Sequence, residues 1–150
     1  MRLNRNFADD FCRYGRSVSF FNYQEVKMIQ ILSVGAGGFI GAVLRFLMGK
    51  LPIKEITVFP VNTLLINLIG AFVIGLVAAA GSRYGAENSS PVLFLKVGLC
   101  GGFTTFSTFS LEGLTLIQEG HFLIFMAYAV SSVALCLLAV WLGHTAAALF

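Results

Sequence analysis

The chain of 150 residues is 57% hydrophobic and 11% charged, with a formal net charge of +3, whereas a typical soluble domain is roughly 25% charged. So little polar surface excludes a water-soluble globule. The basic residues are scattered, without a Lys/Arg cluster interleaved with aromatics, which leaves nucleic acid no surface to bind. The length suits one domain.

Residues 1–27 hold Arg2, Arg5, Arg13, Arg16 and Lys27 beside Asp9, Asp10 and Glu25. The stretch has neither an apolar run able to span a bilayer nor the apolar centre and small-residue cleavage site of a signal peptide. It is expected to be a polar N-terminal extension, disordered or untranslated, with Met28 as an alternative start. Residues 28–150 form the membrane domain.

Four apolar runs follow, approximately Met28 to Met48, Pro60 to Ala80, Val92 to Leu111 and Phe122 to Gly143, each near the roughly 20 residues that a spanning helix needs. Gly49-Lys50-Leu51-Pro52, the stretch from Gly81 to Pro91, and Gln118-Glu119-Gly120-His121 read as the intervening loops. Continuous apolar runs lack the alternation of a membrane β-barrel. The expected fold is therefore all-α, with four transmembrane helices and no internal repeat.

The first run contains Gly35, Gly37, Gly38 and Gly41. A dinucleotide-binding loop fails on spacing, because Ile40 stands five after Gly35, and on context, because no strand precedes it. Gly37 and Gly41 instead form a small-xxx-small pair suited to close helix approach. Cys12, Cys100 and Cys136 make no CxxC pair and read as small hydrophobes. His121 and His144 stand at the ends of the last run, suited to interfacial positions rather than metal binding.

Polar groups at membrane depth are expensive, so each requires a partner or a function. Thr63 and Asn67 are four apart, hence on one helix face. The third run carries Gly101-Gly102-Phe103-Thr104-Thr105-Phe106-Ser107-Thr108-Phe109-Ser110. Two glycines followed by two threonines predict a helix break near the midplane, whose freed backbone groups need protein, water or an ion. Phe106 and Phe109, three apart, are expected to share a face with Phe103 and Glu112. By itself such a phenylalanine stripe reads as core or lipid contact. The fourth run adds Tyr128 and Ser132, again four apart, beside Ser131. Donors and phenyl edges without a central Lys or Arg suit an anion that is dehydrated but not trapped.

The segments Gly41 to Arg45, Pro60 to Asn67 and above all GGFTTFSTFSLE from Gly101 to Glu112 resemble the Fluc/CrcB family of fluoride channels. The resemblance covers Met28 to about Gly143. It implies a multi-pass inner-membrane protein, a homodimer of subunits inserted in opposite orientations, with two pores at the interface that passively export cytoplasmic fluoride. It further implies pore roles for Phe106, Phe109, Asn67, Thr63, Tyr128 and Ser132. A structural sodium ion at the dimer axis would be held by the main-chain carbonyls of Gly101 and Thr104. Arg45 and Glu112 match further family positions. Two departures stand out: Asn62 occupies a position where the family commonly has glycine, and Cys136 one where a serine would extend the hydroxyl row.

A small proton-coupled four-helix exporter is the competing reading; it requires a titratable carboxylate in a central cavity, and Glu112 lies toward the end of its run. A structural subunit of a larger complex would explain the glycines but not the polar residues at depth. No nucleophile-base pair, metal cluster or phosphate loop suggests an enzyme.

Overall fold

The structure is a computed structural model that describes residues 26–52 and 58–149; most of the N-terminal extension, including Cys12, lies outside them. Among the described residues, all regular structure is helical, and four helical spans are long and apolar enough to cross a membrane. α1 is Met28–Gly49 and α2 is Val61–Arg83. The third span, Ser90–Gln118, is composite. It begins as α3, Ser90–Leu93, continues as a π-helix over Phe94–Cys100 and as α4, Gly101–Phe103, then resumes after a break as α5, Phe106–Gln118. α6 is Phe122–Ala146, ending in a 3₁₀ turn, Ala147–Leu149.

The helices pack as two pairs, α1 along the first half of the third span and α2 along α6. Both seams are built on glycine. A Cβ at Gly37 would meet the Phe94 carbonyl oxygen and lie 2.9 Å from the Leu99 nitrogen, and one at Gly102 would lie 2.5 Å from the Gly38 oxygen. In the other seam, a Cβ at Gly75 would strike the Val140 carbonyl and one at Gly143 the Phe72 carbonyl. Lipid chains are as apolar as leucine, so helix association there depends on van der Waals contact, which only small residues bring to backbone range. The expected Gly37–Gly41 packing pair is found in the α1 seam, with a Cβ at Gly41 meeting the Leu99 carbonyl.

The ends are tied by polar contacts where water is near. Gln30 donates Nε2–H to the Asn88 carbonyl (3.0 Å), and the Lys27 N–H donates to Gln30 Oε1 (3.1 Å). Asn62 donates Nδ2–H to the Leu51 carbonyl (3.0 Å), linking the end of α1 to the start of α2. Arg83 donates to the Ala147 carbonyl (3.2 Å) at the C-terminal end of α6, where helix carbonyls lack internal donors.

The third span breaks within the expected stretch, at its two threonines rather than its two glycines. Gly101 and Gly102 remain helical, and the chain turns extended at Thr104 (φ −77°, ψ 160°) and Thr105 (φ −152°, ψ 116°). Gly102 is occupied by the approach of α1, which is a packing reason for a glycine. β-Branched threonine tolerates the extended conformation better than the helix. The break also separates Phe103 from Phe106. Phe103 is buried while Phe106 is 80% exposed, so the expected common face of Phe103, Phe106 and Phe109 does not form.

Candidate ion pathway at the helix break

Interrupting a helix inside a membrane strands backbone groups on both sides. In this chain Asn67 on α2 absorbs part of that cost. Its Oδ1 accepts the Thr105 N–H (2.8 Å), and its Nδ2–H donates to the Thr105 carbonyl (3.1 Å). The Asn67 amide thus pairs with both main-chain groups of one residue, as a neighbouring strand would. Because the Thr105 N–H goes to Asn67, it cannot close the helical ladder onto the Gly101 carbonyl four residues earlier. Thr104 turns its own Oγ1–H back onto the Cys100 carbonyl (2.9 Å), and its methyl presses on Gly70.

On the far side, Thr105 is the N-cap of α5. Its Oγ1 accepts the Thr108 N–H (3.1 Å) and donates to Thr108 Oγ1 (3.0 Å). The break therefore exposes two opposed helix ends near the middle of the span: a carbonyl end at Gly101–Thr104 and an N–H end at Phe106–Phe109. The first favours a cation and the second an anion.

Beside this N–H end lies a groove of about 380 Å³ lined by Asn67, Thr105, Phe106, Phe109, Ser132 and Cys136, together with apolar residues of α2 and α6. None of the side chains lining it is charged. Ser132 is 8% exposed, and its Oγ has no hydrogen-bond partner. A buried hydroxyl left unpaired in apolar surroundings is costly, so Ser132 carries an unmet polar demand beside the groove.

An aromatic ladder leads from the groove. The ring centroids of Phe106 and Phe109 are 5.5 Å apart, those of Phe109 and Tyr128 4.9 Å, and Tyr128 meets Phe59 edge-on at 5.5 Å. Tyr128 is fully buried and donates its hydroxyl to Glu112 Oε2 (2.9 Å), while Thr63 donates to Glu112 Oε1 (2.9 Å). Both carboxyl oxygens of Glu112 are thereby engaged. The third span continues past Leu111, so Glu112 stands toward its end, six residues before Gln118.

Of the residues singled out from sequence, Asn67, Thr104, Phe106, Phe109 and Ser132 line the groove. Thr63, Glu112 and Tyr128 form the adjoining hydrogen-bonded cluster. Gly101 is exposed and borders the break, and Arg45 is half-buried near the end of α1; neither is among the groove-lining residues. Sequence reading missed Thr105 as both cap and recipient of Asn67, although a threonine directly before a resumed helix is a legible N-cap signal. Nothing local in the sequence marked Phe59 as the end of the ladder.

The geometry defines a multi-pass membrane protein with an uncharged polar cleft at a broken helix. The family described as CrcB-like protein, Camphor Resistance (CrcB), matches residues 32–144. A protein named "Fluoride-specific ion channel FluC" from Paramagnetospirillum magneticum is 47% identical over 124 residues, covering 80% of this chain and 96% of the relative. One of the same name from Ruminiclostridium cellulolyticum is 44% identical over 118 residues, covering 78% and 91%. "Fluoride-specific ion channel FluC 3" from Methanosarcina barkeri is 40% identical over 120 residues, covering 80% and 91%. The chain belongs to the CrcB family.

Proposed function

We propose that this chain is the subunit of a fluoride channel that passively releases cytoplasmic fluoride through the groove at the helix break. The observation that carries this reading is the lining: hydroxyl and amide groups and phenyl rings beside a helix N-terminus, with no fixed charge. Fluoride holds its hydration shell tightly, so a path for it must replace water with N–H, O–H and the positive rims of aromatic rings. Conduction requires binding weak enough for the ion to leave, and an uncharged lining holds it only moderately. The channel names of the relatives agree with this chemistry.

The physiological logic is passive. Hydrogen fluoride enters as a neutral acid, dissociates in a more alkaline cytoplasm and leaves the anion trapped. An inside-negative potential then drives the anion outward with about 2.3 kcal/mol per 100 mV. The exporter alternative needs a carboxylate free to load and release protons, whereas both oxygens of Glu112 are held by Thr63 and Tyr128.

The working unit in this reading is a homodimer with its subunits inserted in opposite orientations. Phe106 is 80% exposed next to the groove, which suits closure by a second copy. With four spans and a start at Met28, loop order assigns Arg83 and Lys96 to one side of the membrane and Arg45, Lys50 and Lys54 to the other. That near balance gives the positive-inside rule little to act on. The carbonyls of Gly101 and Thr104 would hold a sodium ion between the copies. They fit a hard cation, because Thr105 withholds its N–H from the Gly101 carbonyl and carbonyl oxygens suit such an ion. Bound there, the ion would neutralise the carbonyl end of the break.

Efflux from liposomes loaded with fluoride or chloride tests the function. Fluoride should leave once the membrane potential is released by a potassium carrier, without an imposed proton gradient, while chloride stays. Flux that follows the proton gradient instead would favour the exporter.

A further inference from the structure

The third span, Ser90–Gln118, contains two charged residues of opposite sign, Lys96 and Glu112. Lys96 stands eight residues before Thr104 and Glu112 eight after it, so the break divides them evenly. Both are half-buried. Glu112 accepts one hydrogen bond at each oxygen, from Thr63 and Tyr128, whereas a carboxylate offers about four acceptor sites. Lys96 has no hydrogen-bond or ion-pair partner among the described residues. At about 1.5 Å per residue the two lie about 24 Å apart along the span, so they cannot meet within one protomer. Ionisable side chains inside membrane spans ordinarily pair with one another.

The winding of the span places Lys96 on a particular side. Gly98 and Gly102 meet α1, whereas Gly101 is exposed and a Cβ there would meet nothing within 4 Å. In an α-helix Lys96, five residues before Gly101, would sit roughly 140° around the axis from it. Phe94–Cys100 is π-helical, however, and its i→i+5 hydrogen bonds bring residues five apart close to one line. Lys96 therefore occupies the side of the span that Gly101 leaves open.

We propose that Lys96 of each copy pairs with the partner's Glu112, and that the two pairs select the antiparallel dimer. The inference rests on the dimer reading, in which the two-fold axis passes through the carbonyls at the break. A two-fold axis at that depth brings Lys96 level with the partner's Glu112, because both residues are equidistant from Thr104, and symmetry repeats the pair. The flexible four-carbon stem of lysine takes up the difference in rise between π winding and α-helix. In a parallel dimer, Lys96 would instead be level with a second Lys96, and Glu112 with a second Glu112. Like charges at membrane depth repel, so this charge pattern favours one orientation and disfavours the other. Pairing also neutralises the carboxylate of the cluster adjoining the groove, whose charge would otherwise oppose an anion.

The test uses the full chain in liposomes, treated with the membrane-soluble reagent dicyclohexylcarbodiimide. The Glu112 carboxyl adds to the carbodiimide carbon, the Lys96 amine displaces dicyclohexylurea, and an amide bond forms with net loss of one water from the protein. A covalent dimer is expected whose linked peptides hold Lys96 and Glu112, and Lys96→Met should abolish it. The two residues are too far apart within one chain or in a parallel pair, so this link reports the antiparallel pair. Dilution of the protein in lipid measures the dimer without chemistry. Lys96→Met should weaken it at least about tenfold, Lys96→Arg should retain it, and Lys96→Met should cost nothing further on a Glu112→Gln background. An equal loss on both backgrounds overturns the pair. So does a dimer in which the reagent modifies Glu112 without linking it to Lys96. An effect of Lys96→Met that appears only in bilayers containing phosphatidylglycerol assigns the lysine to lipid phosphate and overturns the pair as well. Protein that stays monomeric at high density in lipid overturns the dimer reading and the pair with it, whereas a stable dimer that lacks the link overturns this inference alone.

Discussion

The two glycine seams and the layer around Thr105 lie in the same membrane and solve its solvent problem in opposite ways. In the seams, backbones touch: Gly37 and Gly98 bring α1 against the π-helical segment, and Gly75 and Gly143 bring α2 against α6. No polar side chain is needed, because each helix satisfies its own hydrogen bonds. At Thr104 and Thr105 the helix gives up that self-sufficiency, and side chains from α2 and α5 replace it. The contrast teaches where the chain tolerates cost: rigid, dry contact holds the break in place, and the break supplies the polarity that function requires.

Substitutions ordered by their cost to the folded protomer sharpen this contrast. The largest cost belongs to the seams. Gly75→Leu would drive a side chain into the Val140 carbonyl, a backbone atom that cannot step aside. Overpacking there should exceed about 3 kcal/mol, and no monodisperse folded protein should be recovered from detergent. Normal recovery would show that the helices can separate without penalty and that the seam is not the scaffold.

Asn67→Leu comes next. It leaves the Thr105 N–H and carbonyl without their partner at membrane depth, at about 1–3 kcal/mol for each group. Thermal unfolding in detergent should fall by several degrees, and fluoride flux should fall with it. If Asn67→Leu lost flux with unaltered unfolding, the amide would serve the ion alone and not the break. Tyr128→Phe removes one hydrogen bond from Glu112 while preserving the aromatic ladder, and should cost about 1–3 kcal/mol in the same measurement.

Much of this contrast is legible in the sequence, for reasons that differ by region. Apolar runs and glycine spacing encode the spans and the α1 seam directly, since both depend on local composition. The seam between Gly75 and Gly143 joins residues 68 positions apart and carries no motif linking them. The break was foreseeable from two glycines followed by two threonines; that the threonines carry it, while Gly102 serves the approach of α1, depends on packing. Asn67 stood out because a buried amide demands partners; that its partner is the main chain of Thr105 depends on the placement of α2 against the break, which no local pattern records. Glu112 was read toward the end of its span, where it stands; the drop in hydropathy after Leu111 hid the continuation of α5 to Gln118.

At the exposed edge of the groove, the comparison predicts large functional effects with little cost to the fold. Phe106→Ile retains bulk but removes the polarised ring edge, and with it the ring contact with Phe109. Stability should change by about 1 kcal/mol or less, while fluoride flux falls at least about tenfold through loss of that edge. Phe109→Ile should reduce flux similarly but cost more stability, since its ring also packs on Tyr128. Wild-type flux in both variants would return the rings to a packing role.

The smallest cost to the protomer belongs to Gly101, which separates folding from assembly. A Cβ there meets nothing within 4 Å, and the backbone is ordinary right-handed helix (φ −64°, ψ −37°). Within one protomer, replacing this glycine should stabilise the helix by about 0.5–1 kcal/mol if alanine is used. In the proposed dimer, however, the Gly101 carbonyl faces a cation shared with a second copy, and a large side chain would occupy that approach. Gly101→Leu should therefore retain helix content and thermal unfolding as a protomer, yet lose dimer and flux. Thr104→Ala should be milder in assembly: it loses the Oγ1 bond to the Cys100 carbonyl but keeps its own carbonyl for the ion. Light scattering in detergent, with sodium and then with a large organic cation in its place, reads both effects. A Gly101→Leu protein that dimerises and conducts as the unaltered chain does would place the carbonyl end of the break away from any shared ion.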